Sequence, residues 1–131
     1  MFKTVYVERA DGKDEATEFL ANAATSRRYK QVFGEDLLNK FTDARVEVDG
    51  REHYNIDFLQ ELAFIMAMQA KAKDDSKVKL DKLNEDAFFA WLEKYESFSF
   101  EEQAGEIIDV YFRNMDGTSS AKKNSDEQSE K

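Results

Sequence analysis

Enzymes work through a nucleophile, a base, a metal or a phosphate cradle, and this sequence is poor in all four. Its 131 residues include no Cys, no Pro and one His. Without Cys there are no disulfides, thiol nucleophiles, iron–sulfur clusters or cysteine zinc sites. A single imidazole removes every two-histidine metal motif. His53 stands between Glu52 and Tyr54 beside a turn signal, and reads as an ordinary surface or half-buried histidine rather than a partnered base. Carboxylate pairs carry no signal, because 28 Asp and Glu residues place such pairs everywhere by chance. No Gly-rich loop runs into Lys-Ser or Lys-Thr, and the five glycines are scattered, so a phosphate loop is not expected. Calcium loops fail by register. With Gly12 or Gly50 as the loop glycine, the first ligand falls on Val7 or Arg45, and neither is an acid. The expectation is a non-enzyme with no catalytic residue, no cofactor and no metal.

What remains is chemistry of contact. Arg27-Arg28-Tyr29-Lys30 is a basic-aromatic cluster, either a contact for phosphate or an acidic partner, or the polar shoulder of an amphipathic helix. Phe88, Phe89 and Trp91 stand near helical spacing. Neighbouring helical residues point about 100° apart, so Phe88 and Phe89 do not share one narrow stripe, and one of them is a candidate for exposure. Phe64 and Met68 raise the same question. Surplus apolar surface on a small acidic domain points to a partner or to self-association, and Met suits interfaces that must repack.

The elements that position these residues follow from periodicity. Residues 2–7 alternate as a strand does. Asp11-Gly12 is a turn signal, and Thr17 to Ala21 reads as a returning strand, with a helix start at Leu20–Ala24 as the alternative. Thr25 or Ser26 suits a helix cap. Tyr29, Val32, Phe33, Leu37, Leu38 and Phe41 then recur at helical spacing, which predicts a helix over 26–42. Gly34 inside it is a kink or a close approach of another backbone. Residues 46–54 read as a short strand, a turn and a return, or as an irregular loop. Asn55 caps a helix over 56–71 that is apolar almost all round, which makes it the central helix, or one partly covered by another subunit. Residues 71–82 read as a connection. Asn84 caps a helix over 85–95, with Lys94 in its last turn. Ser99-Phe100-Glu101-Glu102 reads as a capping box opening a helix over 100–115. The predicted fold is mainly α: about four helices in a small bundle with a short N-terminal β-hairpin or strand element. One domain covers 1–115, and the polar stretch 116–131 reads as disordered.

Hydrophobic content of 41%, with 11 Phe, is enough for a packed core. A net charge of −9 argues against nucleic acid as a partner. The longest apolar run, Leu62 to Met68, is far short of the roughly 20 residues of a membrane span. The N-terminus has no apolar stretch of a signal peptide's length, about 7–15 residues. A soluble cytoplasmic protein is expected.

Three segments, taken in order, resemble one family. Phe19-Leu20-Ala21-Asn22-Ala23-Ala24-Thr25-Ser26-Arg27-Arg28-Tyr29-Lys30-Gln31-Val32-Phe33-Gly34-Glu35-Asp36-Leu37-Leu38 resembles the opening of the tail assembly chaperones of siphophages that infect Gram-positive bacteria. In that opening a short strand is followed by Thr, Arg, Tyr, an aromatic-Gly pair and Asp-Leu. Leu62-Ala63-Phe64-Ile65-Met66-Ala67 is similar to the family's central Ala-aromatic-Ile-Met-Ala helix, and Phe88-Phe89-Ala90-Trp91-Leu92-Glu93 to its aromatic-Trp-Leu-Glu helix. The resemblance covers residues 19–112.

It implies a small helical protein of the host cytoplasm, absent from the mature virion. Such chaperones coat the tape measure protein until tail tube subunits displace them, and they often self-associate. The expected partners are therefore the tape measure protein, the tail tube protein and further copies of the chain, with no nucleic acid and no membrane. Tyr29, Phe33, Phe64, Met68, Phe88, Phe89 and Trp91 are the expected partner or self-association residues. Many family members also have a longer form made by programmed ribosomal frameshifting near the end of the short reading frame. Lys122-Lys123-Asn124 is compatible with an A-rich slippery codon run and is the expected position. The competing reading is an acidic helical regulator that inhibits a nucleic-acid-binding protein by charge mimicry. It is weakened by 19 Lys and Arg interleaved among the acids.

Overall fold

The computed structural model describes residues 2–43, 45–48 and 51–112, and for 42, 43, 45–48 and 51–54 the backbone only. Residues 116–131, with Lys122, Lys123 and Asn124, lie outside the described residues.

The fold is mostly helical with an N-terminal antiparallel hairpin, as the periodicities predict. Strand β1 (Phe2–Glu8) pairs with β2 (Asp14–Leu20), from Phe2 opposite Leu20 to Glu8 opposite Asp14. Gly12 takes φ 87° in the turn, a region open to glycine at little cost, and Asp11 Oδ1 accepts the Lys13 N–H at 3.0 Å. Alternation buries Val5, Val7, Thr17 and Phe19 and leaves Thr4, Tyr6, Ala16 and Glu18 outside. β2 begins at Asp14 rather than Thr17. Its early residue Glu15 faces the inner rim, where the Tyr95 hydroxyl donates to it at 2.9 Å and Arg9 lies 3.8 Å away.

The helix predicted over 26–42 is two helices, α1 (Thr25–Phe33) and α2 (Leu37–Asp43). Gly34 terminates α1 at φ 77°, donating its N–H to Lys30 O at 2.8 Å, a left-handed C-terminal cap. Added side-chain atoms there would meet nothing within 4 Å, so the glycine serves its backbone angle and not a close approach. The predicted cap at Thr25 or Ser26 also differs, because Ala24 holds the cap position without a side-chain bond. Thr25 is buried, and its Oγ1 accepts from the Asn22 N–H and from Gln69 Nε2, both at 2.9 Å.

Strands β3 (Arg45–Val48) and β4 (Arg51–Tyr54) form a second antiparallel pair, and His53 falls in β4. Helix α3 (Ile56–Asp74) starts where predicted, with Asn55 Oδ1 accepting the N–H groups of Asp57 and Phe58. It runs to Asp74, into the stretch read as a connection. It is the axis of the molecule: β2, α1, α4 and α5 pack around it, and its own chain buries Phe58, Leu59, Leu62, Ala63, Phe64, Ile65, Met66 and Ala67. A helix apolar on all sides is thus satisfied within one subunit.

A 3-10 turn (Leu80–Lys82) leads to α4 (Glu85–Leu92), capped by Asn84 Oδ1 on the Ala87 N–H at 2.8 Å. The helix stops short of the predicted residue 95, leaving Lys94 outside it. The chain turns here to close against β1: Ala10 N–H donates to Lys94 O and Glu96 N–H to Glu8 O. The helix predicted over 100–115 is also broken, into α5 (Ser99–Glu102) and α6 (residues 104–112). The break falls at Gln103, two residues before Gly105, a weak helix former. Ser99 does not form the predicted capping box. Its buried hydroxyl donates to Glu8 O at 2.6 Å and Glu96 O at 2.9 Å, which ties α5 to β1. Among the described residues no helix is long and apolar enough to cross a membrane.

Candidate partner-binding surface

Six of the seven expected contact residues form one ladder of rings across α1, α3 and α4. Tyr29 and Phe33 lie one helical turn apart, with centroids 5.1 Å apart. Phe33 meets Phe88 edge-on at 5.2 Å and Phe64 at 6.4 Å. Phe64 meets Phe88 at 5.3 Å and Trp91 at 5.5 Å, and Phe88 meets Phe89 at 5.4 Å. Tilted and edge-on contacts at these separations add to the energy of burial.

Burial sorts the ladder. Tyr29, Phe64, Phe88 and Trp91 are core residues, so their rings stabilise this chain and do not offer a free face to a partner. Their helical faces look inward because α3 needs cover on every side. Phe33 and Met68 are half-buried. Phe89 is 53% exposed and marks where the ladder reaches solvent.

The foot of the ladder is polar. The Tyr29 hydroxyl donates to Glu61 Oε1 at 2.7 Å. Burial, and then the neighbouring carboxylate, raise the Tyr29 phenol far above its ordinary range. Burial also raises the Glu61 carboxyl, against the opposing pull of the Tyr29 hydrogen bond and the Lys40 charge. The flanking Arg27 and Lys30 are exposed and, with Ser26 and Asp36, line a depression of about 290 Å³.

Met68 sits elsewhere, with Trp91, in a groove of about 530 Å³ between α3, the end of α4 and β2. Tyr95 shares this lining, and burial pushes its phenol up to about 12. Sequence reasoning missed the groove, because it joins residues far apart in the chain. It also missed Phe2 and Tyr6 as surface residues, although alternation against Val5 and Val7 puts both on the outer face of β1, where they are exposed. Leu38 and Phe98 are exposed as well. Among the described residues no three His, Cys, Asp or Glu side chains are grouped to hold a metal ion. No protein-family model, no curated protein and no solved structure matches the chain.

Proposed function

We propose that the chain is a non-catalytic siphophage tail assembly chaperone. It binds the tape measure protein in the host cytoplasm, keeps it soluble, yields it to tail tube subunits and is left out of the mature virion. The family resemblance of residues 19–112 supports this reading, and the observation that carries it is the open end of the aromatic ladder. Phe89 stands exposed beside the buried Phe88, and the half-buried Phe33 packs on the same Phe88 ring. A rigid apolar rim of this kind suits the apolar face of a long helical partner, at little ordering cost. The surrounding acidic surface keeps the complex soluble, and a contact of this size releases its partner without covalent chemistry. Self-association along the same rim belongs to the proposal.

The test is co-expression with the tape measure protein encoded in the same genome. A soluble complex that weakens on Phe89→Ser is expected. Insoluble tape measure protein with no recoverable complex overturns the reading.

A further inference from the structure

The β1–β2 pair leaves main-chain groups facing the groove. In an antiparallel ladder, alternate pairs exchange both main-chain bonds, and the residues between them turn N–H and C=O outward. Arg9 N–H donates to Lys13 O at 2.8 Å, which assigns the bonded set to the odd-numbered pairs Val7/Glu15, Val5/Thr17 and Lys3/Phe19. Two long-range bonds report the same parity. Glu8 O accepts the Glu96 N–H on the outer side of β1, and Leu20 O accepts Gln69 Nε2 at 2.7 Å on the outer side of β2. Ala16 and Glu18 therefore turn their main-chain groups outward from β2. Among the described residues nothing bonds to them there, and both residues are exposed.

In front of this edge lies the 530 Å³ groove, with Met68, Trp91 and Tyr95 among its lining. A strand edge open at Ala16 and Glu18, beside a groove lined by both apolar and charged side chains, is a geometry suited to strand addition. We propose that the edge of β2 captures an extended segment of a partner protein whose side chains alternate apolar with Lys or Arg. The apolar set lies over the half-buried Met68, and the basic set faces Glu18 and the carboxylates around it.

Charge selects this occupant. β2 reads Asp14-Glu15-Ala16-Thr17-Glu18-Phe19-Leu20, with three acids and no base. A second copy pairing there brings three acids from each strand together with no base to balance them, and like charge gathered at one edge is unfavourable. The lining adds Asp74 and Asp75, so its four carboxylates outnumber Lys71 and Lys94. The inference does not rest on the chaperone reading, whose contact rim at Phe33 and Phe89 uses other residues.

The chain's single tryptophan, Trp91, reports on the groove. The probe is a blocked seven-residue peptide alternating valine and lysine, matched to the seven residues of β2 and titrated into the full chain. A saturable change in tryptophan emission is expected. Ala16→Pro removes an outward N–H that the ladder does not use, a substitution that edge strands tolerate, and weakens binding by about ten-fold or more. A second arm does not depend on the variant's folding: N-methylating the peptide on the amides that face β2 weakens binding to the unaltered chain to a similar extent. A valine–glutamate peptide is expected to bind at least about ten-fold more weakly than the lysine one. No saturable signal, equal binding of the N-methylated peptide, or equal binding of the glutamate peptide overturns the proposal. So does a dimer of the free chain in sedimentation that Ala16→Pro dissociates, since the occupant is then a second copy.

Discussion

Tyr29 and Glu61 are separated by 32 positions and joined by one 2.7 Å hydrogen bond. Tyr29→Phe leaves the half-buried carboxylate one donor short, and a loss of about 1–2 kcal/mol in urea denaturation is expected. The pH dependence follows from the raised Glu61 carboxyl. A folded carboxyl that titrates above its unfolded value stabilises the fold while protonated. That contribution is complete below the ordinary carboxylate range and is lost as pH rises through the raised folded value. Glu61→Gln keeps an acceptor for the Tyr29 hydroxyl and does not titrate. Relative to this variant, the unaltered chain is expected to lose stability as pH rises from the ordinary carboxylate range through the raised folded value, and a difference in denaturation midpoint that stays constant with pH contradicts the assignment. Gly34 is a third residue-scale case. Its φ of 77° makes Gly34→Ala cost about 1 kcal/mol, despite the free space around it, which thermal denaturation would register.

At the scale of elements, the ladder separates stability from contact. Phe64 lies at its buried centre, and Phe64→Ala is expected to cost about 3–5 kcal/mol. Phe89→Ser sits at the exposed end and is expected to stay within about 0.5 kcal/mol of the unaltered chain while weakening the partner complex. Denaturation curves for the two variants, set beside co-purification, check this pairing. Much of the element layout was readable from periodicity. Asn55 and Asn84 mark their helix starts because a side-chain acceptor before a run of unpaired N–H groups is a local feature. The hairpin was readable because strand alternation and the Gly12 turn are local too. The broken helices were not. The apolar period runs straight through Gly34, so the stripe looks continuous while the backbone changes hand at one residue. Ser99 fits a capping box by spacing, yet its hydroxyl is taken by Glu8, 91 positions away.

The whole molecule is an acidic domain wrapped around one apolar helix. Residues 116–131 contain four acids and three lysines, so −8 of the −9 falls within 1–115. The proposed role uses this combination of an apolar rim in a charged surface. One further prediction belongs to the gene. Frameshifting at Lys122-Lys123-Asn124 needs AAA codons at both lysines, and an AAG at either one excludes this position. On the proposed tail-chaperone role, mass spectrometry of the infected host is expected to find peptides that continue past it in a second reading frame.

By itself the sequence determined the mainly helical class, the N-terminal hairpin and the place of 56–71 as the central helix. Each rests on local periodicity, and periodicity is written along the chain. It also supplied the aromatic residues of the ladder, though not which of them were free. Only the tertiary structure decided that Tyr29, Phe64, Phe88 and Trp91 are consumed by the core while Phe89 is left outside, and that β2 borders a groove where, among the described residues, nothing bonds the outward main-chain groups of Ala16 and Glu18. Exposure and edge pairing depend on which distant segments arrive beside a residue. That is a property of the packed chain as a whole, because every apolar face competes for the same cover.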